Sequence, residues 1–388
     1  MGCASSNRFA AGAGRGLTRL PVIRCKVILT VFISRRPGGD AIPISVKRNE
    51  NPWTDRSPLS IPDKASISNF YLSLGIWLEN FVTGGSLGNE HMPGELFRRY
   101  HWNYRPQSPQ RPAWFTRWPS GNRIAVTINI MHEWESIPRS NTIRKRAMPS
   151  GTEYIDFLAL GAREYGANFG FRRLLDVLDK VRVKATVLTS GLMAELFPET
   201  LSEAVLRGHE VACHHWDQSK HPFEYATMEE EREAIIRSVE AIERATGMRP
   251  LGYMSPGPRP SPYTLEICAS LGFQWNGDYC DTDVPYTINV NGKKLVSLGY
   301  VRPAYTDNDL LSLGLDGALR QLKDEFDAHY EESAAHPMKF RCAVHNFTGG
   351  RPGLAKVLEN FLEYAKSHQG VWFCSCLDIA RFWTEHDV

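Results

Sequence analysis

The chain has 388 residues, 42% hydrophobic and 23% charged, proportions of an ordinary globular protein that exclude a mainly disordered, collagen-like or coiled-coil chain. The formal net charge is +2, from 45 Lys+Arg against 43 Asp+Glu, so the overall charge gives no reason to expect nucleic acid or an anionic membrane as a partner. The eight cysteines contain no C-x-x-C pair; they are too few for a disulfide scaffold, argue against a Cys-type zinc site, and fit reduced thiols in a cytoplasmic protein.

Residues 1–39 carry seven Arg or Lys and no Asp or Glu, a bias that transit peptides share. The opening Met1-Gly2-Cys3-Ala4-Ser5-Ser6 fits the N-myristoylation pattern with Gly2 as acceptor. The apolar run 27–33 is far shorter than the ~20 residues of a spanning helix, so no integral membrane segment is expected. Pro43, Pro52, Pro58, Pro62, Pro93, Pro106 and Pro109 break any sustained period. Residues 1–111 therefore read as an irregular N-terminal extension, targeting or disordered, with one short helix near 67–81.

From residue 112 to 388 the pattern is regular. A buried strand is expected at 123–130, an amphipathic helix at 169–180 with Leu174, Leu175 and Leu178 on one face, and a strand at 184–188. A helix at 198–207 and a strand at 209–213 follow. The helix at 227–246 has Thr227 as N-cap and Glu230 completing a capping box. Beyond it come strands at 251–255, 273–277 and 294–299, with a helix at 262–271. Then follow a helix at 315–330, a strand at 339–344, a helix at 353–367, a strand at 370–373 and a helix at 377–383. Strands separated by helices imply parallel pairing, and this many favour an α/β barrel or a closed relative over an open sheet.

In such a barrel the chemistry gathers where strands end. After the first strand come His132, Glu133 and Glu135; after the third, His214, His215, Trp216 and Asp217. After 251–255 comes Arg259 in a Pro-rich turn; after 273–277, Asp278, Asp281 and Asp283; after 339–344, His345, Asn346 and Arg351. Because neighbours on a strand face opposite ways, only one of His214 and His215 can face the site. Asp281 and Asp283 rank below Asp278 as turn formers. His209 opens its strand at the far end and reads as structural, and Trp372 and Trp383 as core.

Several of these stretches resemble one family. Gly208-His209-Glu210-Val211-Ala212-Cys213-His214 resembles the second motif of the polysaccharide deacetylase (NodB-homology) family, in the branch holding metal-independent allantoinases, cyclic-imide hydrolases and peptidoglycan-deacetylase-like proteins. Arg117-Trp118-Pro119-Ser120-Gly121-Asn122-Arg123, the turn from Pro258 to Thr264, the segment from Gly277 to Pro285, and His345 through Gly353 to Trp383 resemble further parts of that branch. The resemblance spans 112–386. It implies a distorted (β/α) barrel of the polysaccharide-deacetylase type, hydrolysis of non-peptide C–N bonds, and a homo-oligomer.

Metal-dependent members have an Asp pair and an H-x-x-x-H pair; here the first strand runs into Met131-His132-Glu133, and the residue four after His214 is Gln218. Glu133, His214 and Gln218 make a poor zinc set, since catalytic zinc normally takes three compact protein ligands. His221 completes a set with Glu133 and His214 only if its loop curls back. No cofactor is therefore expected, with a divalent metal such as zinc as the alternative. A metal-free site needs a base beside water and a positive group where the oxyanion develops. Glu133 or His214 is the expected base, Arg259 and His345 stabilise charge, Asp278 orients Arg259 or His214, and Trp216, Asp217 and Arg351 contact substrate. The leading expectation is a hydrolase of a small amide, ureide or imide. A metal-dependent deacetylase of N-acetylated carbohydrate and an inactive ligand-binding homologue are the competing ones.

Overall fold

The computed structural model describes side chains at residues 111–136, 149–150, 156–298 and 306–387, and backbone alone at 30–31, 46–47, 145–147, 153–155 and 305. The chain divides into two compact units, Met1–Ser86 and Leu87–Val388. The first contributes one short antiparallel pairing, Thr30–Val31 with Val46–Lys47. The expected helix at 67–81 and the motif at 1–6 lie outside the described residues. The strands and helices expected from residue 112 onward all fall within the second unit.

The strand expected at 123–130 is β1, Ile124–His132, buried along its whole length. Its two faces serve different layers, as period-two geometry requires. Ile124, Val126, Ile128 and Ile130 join the main core with the helices, whereas Ala125 and Met131 face the barrel lumen with Leu188, Ala212 and Met254. The next strands are β2 (Thr186–Thr189), β3 (Glu210–Cys213), β4 (Gly252–Tyr253) and β5 (Trp275–Asn276). The hairpin β6 (Tyr286–Val290) and β7 (Lys293–Ser297), then β8 (Tyr305–Thr306), β9 (Met338–His345) and β10 (Val371–Phe373), complete the sheet. Their order is β6-β7-β5-β4-β3-β2-β1-β9-β8, with β10 also on β1. Every pairing in this sheet is parallel except that of β6 with β7. Among the described residues no pairing joins β6 to β8, so the curled sheet is a distorted, incompletely closed barrel.

The helices cover the outer face. The expected helix at 169–180 starts earlier, as α1 (Phe157–Tyr165), a π turn (Gly166–Gly170) and α2 (Phe171–Val181) in one run. Leu174, Leu175 and Leu178 are buried on the face foreseen for them, each contributing about 1.5–3 kcal/mol by burial. The helix α3 (Met228–Thr246) is capped by Thr227, whose hydroxyl accepts from Glu230 N, and ends at Gly247 with φ 70°. The expected capping box is half realised, because the Glu230 carboxylate accepts from Ala226 N, 3.2 Å away. The strand expected at 294–299 is one arm of a hairpin turning at Asn291-Gly292, both with positive φ, as a type I′ turn demands. A final helix, α4 (Cys376–His386), closes the bottom of the lumen with Phe115, Trp118 and Trp383, confirming Trp383 as core. No helix among the described residues is long and apolar enough to cross a membrane.

Candidate active site

The lumen face of β1 continues past Met131 to Glu133, which meets two imidazoles. His214, just after β3, places Nε2 3.3 Å from Glu133 Oε1. His345, at the end of β9, places Nε2 3.8 Å from the same oxygen. Three strands thus bring Glu133, His214 and His345 to one point at their C-terminal ends.

Partners behind each imidazole fix its protons. His214 Nδ1–H donates to Met254 O at 2.7 Å, and a carbonyl can only accept. Its Nε2 is therefore the nitrogen left to face Glu133. His345 is held by Asp307, which accepts from the backbone N at 2.7 Å and from Nδ1–H at 2.6 Å. Burial alone would raise the Glu133 pKa. His345, the His214 hydrogen bond and charge, and Arg163 outweigh it and lower the carboxyl to about 2. Burial opposes charge on His345, but Glu133 and Asp307 together raise its pKa above 6.5. Glu133 is thereby held ionised and His345 held as a proton carrier.

The neighbours of these residues face elsewhere, as alternation requires. His132 turns outward to Thr189 and Thr200, and burial lowers its pKa to about 3. His215 adopts φ 62°, and its ring sits between the hydroxyls of Tyr253 and Tyr225, 3.1 Å from each. Burial lowers it likewise to about 3.

Other residues expected at the site make the following contacts. Asp278 does not orient Arg259 or His214 through a hydrogen bond; it accepts from Ser255 N and Oγ and from Asn276 Nδ2. It lies at a turn that supplies its own donors, so they fill both carboxylate oxygens first. Arg259 is exposed and donates to His221 Nε2 at 3.1 Å. Because His221 Nδ1 lies 3.4 Å from Glu224, both His221 nitrogens are engaged away from Glu133. Trp216 packs against Gly191 and under the Arg237 guanidinium, 3.6 Å from the ring centroid. Asp217 accepts from Ser136 N and Ser219 N and so ties two strand-end loops together. Arg351 lies over the Tyr165 ring at 3.8 Å, on the exposed rim.

Two participants were invisible to sequence reading. Asp307 stands 38 residues before His345 and is delivered by the pairing of Tyr305–Thr306 with Cys342–Ala343. Arg163 comes from α1, a helix that was not foreseen.

The curled parallel barrel carrying this carboxylate–imidazole group at its strand ends is the distorted α/β barrel of the polysaccharide-deacetylase type, as the following likeness shows. Comparison with known proteins agrees: residues 164–275 match the polysaccharide deacetylase family model. A probable polysaccharide deacetylase from Pseudomonas aeruginosa superposes with TM-score 0.62 at 26% identity, covering 72% of this chain and 96% of that one. The Puue allantoinase gives TM-score 0.62 at 27% identity, covering 72% and 95%. The peptidoglycan deacetylase of Helicobacter pylori is 24% identical over 56% of this chain and 84% of its own length. The chain therefore carries a polysaccharide deacetylase domain of the NodB type, a domain of deacetylases and related hydrolases.

Proposed function

We propose that this chain hydrolyses a non-peptide C–N bond of a small amide, ureide or imide without a metal. The observation that carries this reading is the approach of His214 Nε2 and His345 Nε2 to one ionised oxygen of Glu133, at 3.3 and 3.8 Å. In the proposed reaction, water sits between Glu133 and the substrate carbonyl. As the water oxygen bonds to the carbonyl carbon, its proton passes to the Glu133 carboxylate, which His214 Nε2 holds in place. His345 Nε2–H faces the same point and supplies the proton to the departing nitrogen when the C–N bond breaks. Asp307 holds His345 for both halves of the step. Arg259, on the exposed turn, is not used.

The donor chemistry supports the metal-free form. At His345 Nε2 a proton competes with any metal, because Glu133 and Asp307 raise the pKa of this imidazole. His221 is engaged by Arg259 and Glu224. Among the described residues no group of three His, Cys, Asp or Glu side chains is arranged to hold a metal ion. The likeness to the Puue allantoinase supports a ureide or related cyclic amide as substrate. The likeness to a peptidoglycan deacetylase favours a second reading, removal of an N-acetyl group from a sugar.

The test is a hydrolysis panel on purified protein, with and without EDTA and with metal analysis of the same sample. The panel holds allantoin, a cyclic imide, a formamide and chito-oligosaccharides. Turnover of a small amide that survives EDTA is expected, with a rate that falls as rising pH deprotonates His345 above the ordinary histidine range. Turnover of the sugar alone, abolished by EDTA, would establish the second reading instead.

A further inference from the structure

Arg163 takes no part in the reaction above, yet it touches both loops that carry it. Its guanidinium pairs with Glu135, two residues after Glu133. The same guanidinium lies 3.7 Å from the ring centroid of Phe347, two residues after His345. The Phe347 ring is in turn 5.2 Å from the His345 imidazole. One planar cation therefore spans the end of β1 and the end of β9, with its side chain and that of Glu135 both nearly buried.

The height of Arg163 over the barrel is fixed by glycines. A Cβ on Gly166 would lie 2.9 Å from the Phe347 backbone N, and one on Gly170 only 2.0 Å from Asn346 O. A Cβ on Gly350 would lie 2.4 Å from Gly170 Cα. The π turn and the His345 loop thus meet backbone to backbone, an approach that any side chain would prevent. Arg173 adds a hydrogen bond from NH1 to Gly350 O at 2.7 Å. The helix carrying Arg163 cannot ride up without separating these backbones.

We propose that Arg163 is a positioning residue that fastens the Glu133 loop to the His345 loop and so sets the approach of these two groups. The proposal rests on the hydrolase reading above. Arginine suits the task because one flat, delocalised cation can pair with a carboxylate edge-on while stacking on a ring; lysine can do the first but not the second. The Arg163 charge also acts on both Glu133 and His345, as expected of a group held close to the pair.

The test uses the full chain and whichever panel compound turns over. Arg163→Gln should lower kcat roughly 100-fold, the order expected for a reacting group displaced by about 1 Å, with KM nearly unchanged. Arg163→Lys should recover part of that loss, about tenfold, because it keeps the pair with Glu135. Phe347→Leu should lower kcat by roughly tenfold, and the double variant Arg163→Gln/Phe347→Leu should be no worse than Arg163→Gln alone, since both act through one contact. The proposal is overturned if Arg163→Gln keeps kcat, if its loss only tracks a smaller folded fraction, or if the two substitutions add. Glu133→Gln is measured in parallel. If that variant also turns over normally, the site placed at Glu133 and His345 fails, and the positioning role with it; if it is inactive while Arg163→Gln is silent, the positioning role alone fails.

Discussion

Two corners of the barrel rim hold buried carboxylates, and they behave oppositely. At the β1–β3–β9 corner, Glu133 faces two imidazoles and is drawn down to about 2. At the β4–β5 corner, Asp278 faces Ser255 and Asn276, and burial pushes it up despite those bonds. Beneath it Glu231, from α3, accepts from the hydroxyls of Ser261 and Thr264, and burial raises it from 4.5 to about 7. Burial disfavours the anion in all three. What decides the outcome is whether the partners carry charge. Neutral donors hold a turn in place, whereas imidazoles that can carry charge keep the carboxylate ionised.

The largest effects should separate the corners. Glu133→Gln is expected to lower turnover roughly 10³-fold, the range of a lost general base, and also to forfeit the stability that its lowered pKa contributes at neutral pH. Asp278→Asn should lower the melting temperature, as a buried acceptor set is disturbed, but with a much smaller loss of turnover. Activity and thermal melts on the two variants decide this, and a swapped result would make the β4–β5 corner the working one. His345→Ala should come next at roughly 10²-fold, and Asp307→Asn at roughly tenfold because the imidazole keeps its place but loses its charged partner.

A stability effect should distinguish the corners by sign. Between about 4.5 and 7 the fold retains the Glu231 proton after the unfolded chain has lost it. Stability from this group therefore falls as pH rises through that window. For Glu133 the fold gives up its proton first, between about 2 and 4.5, so its contribution grows with pH there and is lost on acidification. Glu231→Gln should gain on wild type between pH 5 and 8, by at most about 3 kcal/mol. Urea unfolding across that range reads the slope, and parallel curves for the two proteins would remove Glu231 from the comparison. The smallest effect is expected at Arg259→Ala: its guanidinium is on the exposed turn and engages His221 rather than Glu133. Turnover should stay within about threefold, as for most exposed substitutions away from the chemistry.

The fold was legible wherever period and punctuation agreed. The buried run 124–132, the leucine face of α2 and the Thr227 cap all lie where the residues place them. The β6–β7 hairpin was half missed although Asn291-Gly292 between alternating residues is a strong hairpin sign. The helix α1 was missed for a physical reason: Gly161, Gly166 and Gly170 weaken the helical pattern, and two of them are needed for the backbone crossing against the His345 loop. At the site, Glu133, His214 and His345 were readable because each directly follows a strand. Asp307 and Arg163 were not, because only the β8–β9 pairing and the glycine crossing bring them in. The hydrogen bond expected from Asp278 to Arg259 or His214 is instead made to Ser255 and Asn276, because position at a strand end says nothing of which nearby donors a side chain meets first.

The filled lumen has one more consequence. Below Glu133 the interior is occupied by Asn129, Trp275, Lys339 and Arg341, which leave only a small void, and Phe115, Trp118 and Trp383 cover the far end. The barrel is a blind well rather than a tunnel. Among the described residues no passage runs through it, so a long chain could present only a protruding group from above. On the proposed hydrolase reading, substrate and product share that mouth, so product exit is a candidate pacemaker to compare with the chemical step.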